Sequence, residues 1–234
     1  MFIVFEGPDG SGKTTQSKML AEWMSAEWRC FPDRRTSIGK LIDGHLKGYW
    51  DAQMADAPPH KKMAPDELAW HDTYGSTKDA LMFQALQLAN RVEVMPSILA
   101  TLRSGKHVVC DRYWGSGYAY GKSDGLDTAY LLKIHEYLPE PALNILIDVP
   151  IEVAVKRLAS REGRVERYEG NVGFMETVAN NYRELWALKK KYEGIYNDSL
   201  VKTDPRWVVV DGSGSQTATQ EKLRSLIPLA VLKR

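Results

Sequence analysis

Cysteine is scarce: the 234 residues contain only Cys30 and Cys110, each inside a strand-like apolar segment. Neither they nor the five histidines show metal-ligand spacing, which argues against a disulfide framework and against a zinc site. Net charge is missing as well. Thirty-one basic residues against thirty acidic ones leave +1, too small a field to point to nucleic acid or a membrane surface as the main partner. No apolar run approaches the length of a bilayer span, and the chain starts directly in strand-forming residues, without a charged n-region, apolar h-region or cleavage site. A cytoplasmic protein with no membrane partner is therefore expected. There is no internal repeat and no low-complexity tail. With 44% hydrophobic content, one core is affordable, and residues 1–234 are expected to form a single α/β domain with an elaboration.

Against these absences stands one dense signal, FIVFEGPDGSGKTTQ at residues 2–16. A buried-type strand runs into Gly7-x-x-x-x-Gly12-Lys13-Thr14 and then into a helix, the P-loop pattern. Gly7, Gly10 and Gly12 allow the backbone to curl so that successive N–H groups point at phosphate oxygens. The positive end of the following helix faces the same spot, Lys13 can reach the β and γ phosphates, and the Thr14 hydroxyl is placed to ligate Mg²⁺. A glycine turn with an incidental lysine is the competing reading.

Along the rest of the chain, helical periodicity is expected over Thr15–Glu27, followed by a short strand at Trp28–Phe31. Two arginines, Arg34 and Arg35, then precede a helix from about Ser37 to Lys47. At the carboxyl end of a strand beside a P-loop, such a pair can hold a second anion, the alternative being a solvated surface. Residues 49–78 show no clear period and read as an insertion, with a short helix possible around Pro65–Trp70. Lys78–Glu93 reads as a helix with Leu81, Ala85, Leu88, Ala89 and Val92 on its apolar face, and Gln84, Gln87 and Arg91 toward another. Pro96 is expected to kink or end it.

A buried strand at His107–Asp111 ends in an acid, followed by Arg112 and a glycine-bearing loop, WGSGYAYG. A carboxylate there can hold Mg²⁺ through water, and an arginine can neutralise phosphoryl oxygens. Further helices are expected at Leu126–Leu138, Ile151–Ser160, Gly173–Tyr196 and Thr217–Leu229, with strands at Leu143–Ile147 and Trp207–Val210. Arg157, Arg161, Arg164 and Arg167 form a basic run that fits either a solvated patch or a lid at about 160–170 hinged at Gly163. Strands alternating with helices predict a five-stranded parallel sheet.

The ordered blocks FEGPDGSGKTTQ (5–16), FPDRRTSIGKL (31–41), ANRVE (89–93), DRYWGSGYAYG (111–121) and ERYE (166–169) resemble those of the thymidylate kinases. The resemblance implies a three-layer P-loop fold, a five-stranded parallel sheet flanked by helices with an arginine-bearing lid, and often a homodimer formed through helix faces. It implies transfer of the ATP γ-phosphoryl group to a deoxynucleoside monophosphate, dTMP above all, with Mg²⁺. On matching positions it places ATP on Gly7, Asp9, Gly10, Ser11, Gly12, Lys13, Thr14 and Thr15, with Arg157 near adenine, and the metal on Thr14 and Asp111. The acceptor would meet Phe31, Arg34, Gln87, Arg91, Ser116, Gly117 and Tyr120, with Asp9 at its sugar 3′-hydroxyl and Arg112 bridging both phosphates. Where some members carry a basic residue in the P-loop, this chain has Gly10, and Arg161 and Arg164 would join Lys13 and Arg112 as catalytic cations.

One position departs from the pattern. The family commonly has a phenylalanine four residues before the helix arginine, stacking on thymine; here it is Gln87, and Phe83 lies a turn earlier. An amide could hydrogen-bond a different or modified base, such as a 5-substituted deoxyuridylate or the guanine of dGMP. A regulatory P-loop protein is the remaining alternative, although it has no need of arginines converging on an acceptor.

Overall fold

A computed structural model describes residues 1–46, 65–160, 171–191 and 205–228, of which 65–79 and 191 are described for the backbone alone. Five strands, β1 (Phe2–Glu6), β2 (Glu27–Cys30), β3 (Val108–Asp111), β4 (Leu143–Asp148) and β5 (Arg206–Asp211), form one sheet in the order β2-β3-β1-β4-β5. Every pairing is parallel, with Phe2 beside Val108 and Ile3 beside Leu143 in the central register. β1 is central and buried throughout, as its unbroken apolar run FIVF requires for a strand covered on both faces.

Alternate β1 side chains supply two separate cores. Phe2 and Val4 join Ile98, Tyr113, Tyr118, Tyr182 and Trp186 on one face, while Ile3 and Phe5 join Leu20, Val109, Ile145 and Leu223 on the other. The second face is covered by α1 (Lys13–Trp23) and α8 (Gln216–Ser225). The first is covered by α3 (Pro65–Arg103), α4 (Trp114–Ser123), α5 (Thr128–His135) and α7 (Val172–Lys191). The remaining helices, α2 (Ser37–Leu46) and α6 (Ile151–Ala159), follow β2 and β4. All five strands point their carboxyl ends to the same edge, where open α/β sheets bind ligands. Among the described residues, no helix is long and apolar enough to cross a membrane.

Three local expectations are corrected. The glycine-bearing stretch after Asp111 is helix α4, not a loop. Its glycines are packing residues: a Cβ on Gly117 would lie 2.8 Å from the His135 ring, and one on Gly121 would lie 2.7 Å from Leu131. Pro96 neither ends nor divides its helix, since α3 runs unbroken from Pro65 to Arg103. Pro96 lies on the exposed side, where its missing N–H frees a carbonyl toward water.

The third correction concerns which face of α3 is buried. Gln84, Gln87, Asn90 and Arg91 are buried, whereas Leu81 and Val92, read as apolar-face residues, are 38% and 56% exposed. Element ends also shift: α1 starts at Lys13 and stops at Trp23, and β2 begins at Glu27. The expected lid with Arg161 and Arg164, and residues 47–64 of the α2 end and the insertion, lie outside the described residues.

Candidate active site

The P-loop closes the gap between β1 and α1 by placing three glycines at positive φ: Gly7 at 148°, Gly10 at 78° and Gly12 at 91°. Gly10 has a second constraint, because a Cβ there would meet the Ala154 carbonyl oxygen at 2.4 Å. Lys13 opens α1 almost fully buried, with its Nζ donating to the Pro8 carbonyl at 3.2 Å and lying 3.4 Å from Asp9 Oδ1. Burial and the neighbouring Arg112 lower its pKa, against the pull of Asp9 and Asp111.

Beside the loop lies a cavity of about 400 Å³ lined by Asp9, Gly10, Ser11, Gly12, Lys13, Thr14, Thr15 and Arg157, together with Gly212, Gly214, Gln216 and Thr219. Arg157 ties its two rims together, donating to the Ser11 carbonyl at 3.1 Å and to the Gly212 carbonyl at 2.8 Å. Gly7 is not in this lining. It packs beneath, with its Cα 's open side against the Ile147 carbonyl and its own carbonyl accepting from Arg112 at 3.4 Å.

A second cavity, about 530 Å³, opens on the other side of Asp9 and Thr14, which line both. Its walls bring together every residue expected to meet the acceptor: Asp9, Phe31, Arg34, Gln87, Arg91, Arg112, Ser116, Gly117 and Tyr120. These come from the P-loop, the β2–α2 connection, α3, the end of β3 and α4. Asn90 holds two of those elements together: its Oδ1 accepts from the Asp33 N–H at 2.8 Å and its Nδ2 donates to Thr36 Oγ1 at 2.8 Å. The two arginines before α2 divide their work. Arg35 clamps Asp33 with two hydrogen bonds of 2.8 and 2.6 Å, while Arg34 faces the cavity and pairs with Asp43 at 3.1 Å.

Arg91, on the helix face opposite the apolar residues, is 1% exposed. Its Nη2 donates to the Tyr113 carbonyl at 2.7 Å, and its Nε and Nη1 have no partner among the described residues. Burial is the main reason its pKa is pushed down to about 10, so it stays cationic at neutral pH. Unsatisfied buried guanidinium donors are costly in a finished core and are natural beside a ligand subsite. Phe83, the phenylalanine nearest the expected stacking position, is buried and set against His45, with ring centroids 4.7 Å apart.

Arg112 is the hub between the two cavities. Its backbone sits in the left-handed region at φ 66°, anchored by its N–H to the Phe5 carbonyl at 2.8 Å. Its guanidinium contacts Asp9, Ser116 Oγ at 3.1 Å, Tyr182 Oη at 3.2 Å and Tyr120 Oη at 3.3 Å. Burial alone would raise the Asp9 pKa, but Arg112, Lys13 and the Tyr120 hydroxyl hold it well below the usual carboxylate range. Burial likewise works against the charge on Arg112, and Tyr120, Asp9, Tyr182 and Asp111 together raise its pKa well above the ordinary value.

Asp111 and Thr14 fit a magnesium ion. Thr14 Oγ1 donates to Asp111 Oδ2 at 2.5 Å, while the buried Asp111 Oδ1 has no partner among the described residues. Those residues contain no group of three His, Cys, Asp or Glu side chains able to hold a metal unaided. That matches the habit of Mg²⁺ of taking one or two protein oxygens plus phosphates and water.

The sequence that builds these two cavities matches a known family along most of its length. Residues 5–58 and 73–223 match the sequence model of the family described as thymidylate kinase. The chain belongs to the thymidylate kinase family. Relatives include a probable thymidylate kinase of Pyrococcus horikoshii, 32% identical over 189 residues that cover 79% of this chain and 82% of that protein. The thymidylate kinase of Caenorhabditis elegans is 34% identical over 180 residues, covering 71% of each chain. Among solved structures, the thymidylate kinase of Candida albicans, an enzyme of broad substrate specificity, aligns with TM-score 0.65 and 25% identity. That alignment covers 97% of this chain and 90% of the other. As a member of this family the chain is a phosphotransferase.

Some site residues escaped the sequence reading. Gly212 and Gly214 of the β5–α8 connection and Gln216 and Thr219 of α8 border the P-loop cavity, and the signal for them was a Gly-Ser-Gly turn directly after the last strand. Gln84 lines the second cavity beside Gln87, on the helix face read as opposite the apolar one. Glu6 and Tyr182, which meet Ser116, lay in segments read as strand core and helix core.

Proposed function

We propose that the chain transfers the γ-phosphoryl group of ATP to dTMP, giving ADP and dTDP. The observation that carries this reading is the pair of cavities sharing Asp9 and Thr14, with Arg112 reaching from the second cavity to the P-loop. One cavity suits a polyphosphate donor and the other a nucleoside monophosphate. In this assignment the P-loop N–H groups and Lys13 hold the donor phosphates, and Arg157 borders the adenine end. Thr14 and Asp111 hold Mg²⁺, which when bound neutralises charge on the phosphate oxygens.

Arg34 holds the acceptor phosphate, Asp9 and Tyr120 meet the sugar, and Phe31, Gln87, Arg91 and Gly117 surround the base. An acceptor phosphate oxygen forms the new P–O bond as the bond to the β–γ bridging oxygen breaks. The attacking oxygen is already ionised, so no protein base is required, and the role left to Arg112 is to stabilise charge spread over the transferred group.

A second reading of the acceptor has its own observation: Gln87 and Gln84 present amides to the cavity where the family commonly offers an aromatic ring. Such a wall suits a pyrimidine with a polar 5-substituent. A panel of dTMP, dUMP, 5-hydroxymethyl-dUMP, dCMP and dGMP with ATP and Mg²⁺ separates these readings. Conversion of dTMP at or near the fastest rate supports the first. Fast 5-hydroxymethyl-dUMP with dTMP among the slowest supports the second, and no transfer to any monophosphate overturns both.

The reading extends to a cytoplasmic homodimer. Leu81, Met82 and Val92, which are 38%, 43% and 56% exposed along α3, supply an apolar strip for a second copy. Sedimentation of wild type against Val92→Glu tests the pairing; a wild-type monomer at micromolar concentration removes it.

A further inference from the structure

Glu6 ends β1 almost wholly buried, at 1% exposure, and touches neither cavity. Its carboxyl group nevertheless accepts four hydrogen bonds. Oε1 takes the backbone N–H of Tyr113 at 2.8 Å and of Ser116 at 3.0 Å, while Oε2 takes Ser116 Oγ at 2.5 Å and Tyr182 Oη at 3.2 Å. The backbone pair caps the first turn of α4, whose early N–H groups have no intrahelical acceptor. Gly115 keeps that turn in place, because a Cβ there would lie 3.0 Å from Glu6 Oε1.

The two hydroxyl contacts do something different. A hydroxyl has one proton and two lone pairs. Ser116 gives its proton to Glu6, and Tyr182 turns its single proton to the same side, where Ser116 Oγ lies at 2.8 Å and Glu6 Oε2 at 3.2 Å. Both oxygens can then only accept on the side of Arg112, whose Nη1 donates to them at 3.1 and 3.2 Å, so they form a small acceptor platform under one arm of the guanidinium. The other arm is held by Asp9 and Tyr120.

We propose that Glu6 is a positioning residue for phosphoryl transfer: it polarises Ser116 and Tyr182 so that two neutral oxygens fix the Arg112 guanidinium between donor and acceptor. The neutrality of that platform matters. Asp9 already contacts the other arm directly, and a second carboxylate in direct contact would offset still more of the charge needed by the transferring group. With one layer of hydroxyls in between, Glu6 orients Arg112 without adding a second ion pair. The arrangement also ties α7, which carries Tyr182, and α4, which carries Ser116, to the strand that feeds the P-loop.

This inference rests on the kinase reading, so dTMP phosphorylation by the wild type is measured first; its absence overturns that reading. With activity in hand, Glu6→Gln is compared with wild type and with a Ser116→Ala/Tyr182→Phe double variant. In Glu6→Gln an amide N–H faces groups that themselves donate, and the hydroxyl protons turn toward Arg112. The expected result is a fall in kcat of roughly 30-fold with the KM for ATP within about threefold of wild type, as befits a group acting in the transition state. The double variant loses a similar factor, and adding Glu6→Gln to it costs less than about threefold more, since both changes act through one arginine.

Near-normal kcat in Glu6→Gln overturns the proposal. So does an undiminished loss when the substitution is made without the two hydroxyls, because that marks Glu6 as only a cap for α4. If Glu6→Gln does not fold, Tyr182→Phe decides: it leaves the carboxylate its other three donors, and a kcat within about twofold of wild type overturns the platform.

Discussion

Arg112 and Asp9 form an ion pair that joins the end of β3 to the P-loop, with the Tyr120 hydroxyl donating to the second Asp9 oxygen at 2.7 Å. Asp9 lines both cavities, so the guanidinium that braces the P-loop at Gly7 and Asp9 lies where the two cavities meet. Arg112→Ala is expected to lower kcat by roughly two to three orders of magnitude, the loss seen when one electrostatic stabiliser is removed from a transition state. The fold should persist, since Arg112 lies outside both apolar cores. Steady-state kinetics beside a thermal unfolding curve checks both parts; near-normal turnover in a folded variant removes Arg112 from the chemistry.

Arg34 sits at the opposite wall, half-exposed and paired with Asp43. Because it faces the acceptor and not the P-loop, Arg34→Ala should raise the KM for the monophosphate by about tenfold or more while leaving the KM for ATP nearly unchanged. An unchanged dependence on acceptor concentration would place the second anion elsewhere. Stability should barely move, since an exposed ion pair contributes at most about 1 kcal/mol.

Two glycines at positive φ separate backbone strain from close packing. Gly125, at φ 86°, has nothing within 4 Å of an added Cβ, whereas Gly10, at φ 78°, would bring one to 2.4 Å from the Ala154 carbonyl oxygen. Gly125→Ala should cost about 1–2 kcal/mol through conformation alone and leave both KM values intact. Gly10→Ala should cost more, because the P-loop or α6 must shift, and should weaken ATP binding at least tenfold. Denaturant unfolding and nucleotide titration of the two variants, side by side, make the comparison; equal losses would mean that the contact with Ala154 is easily relieved.

The parallel sheet and the donor cavity were legible because their signals are local. Apolar runs ending in Glu6, Asp111 and Asp148 mark strands buried on both faces, and the P-loop glycines mark an anion cradle. The acceptor side was harder. Glycines at 115, 117 and 121 have the composition of a loop, and only the tertiary neighbours Glu6, His135 and Leu131 show that they let a helix pack closely. The α3 pattern misled for a related reason. Periodicity assigns Leu81 and Val92 inward on the assumption that burial means an apolar environment, but this helix buries Gln84, Gln87 and Arg91 along the second cavity and Asn90 against the β2–α2 connection. Glu6 carried a signal that was available and unused: a carboxylate closing a fully apolar central strand must have donors waiting for it.

His135 offers a test in which pH is the variable. It is buried beneath Gly117, with Nδ1 2.7 Å from the Leu131 carbonyl, its ring stacked near Trp114, and no partner at Nε2 among the described residues. Burial, aided by the cation of Arg91, pushes its pKa down to about 3, against about 6.5 in an unfolded chain. Between those values the unfolded chain holds a proton that the folded chain does not. Stability from this group is therefore complete above pH 6.5 and declines as pH falls toward 3. At pH 5 the loss amounts to about 2 kcal/mol, taken as 1.36 kcal/mol for each of roughly 1.5 pH units. His135→Gln removes the titrating ring, so urea unfolding at pH 7.5 and pH 5 should show wild type losing about 2 kcal/mol more than the variant over that interval. Parallel losses in the two proteins would mean that the acid sensitivity of the fold resides in other groups and that the ring takes up its proton without disturbing α4.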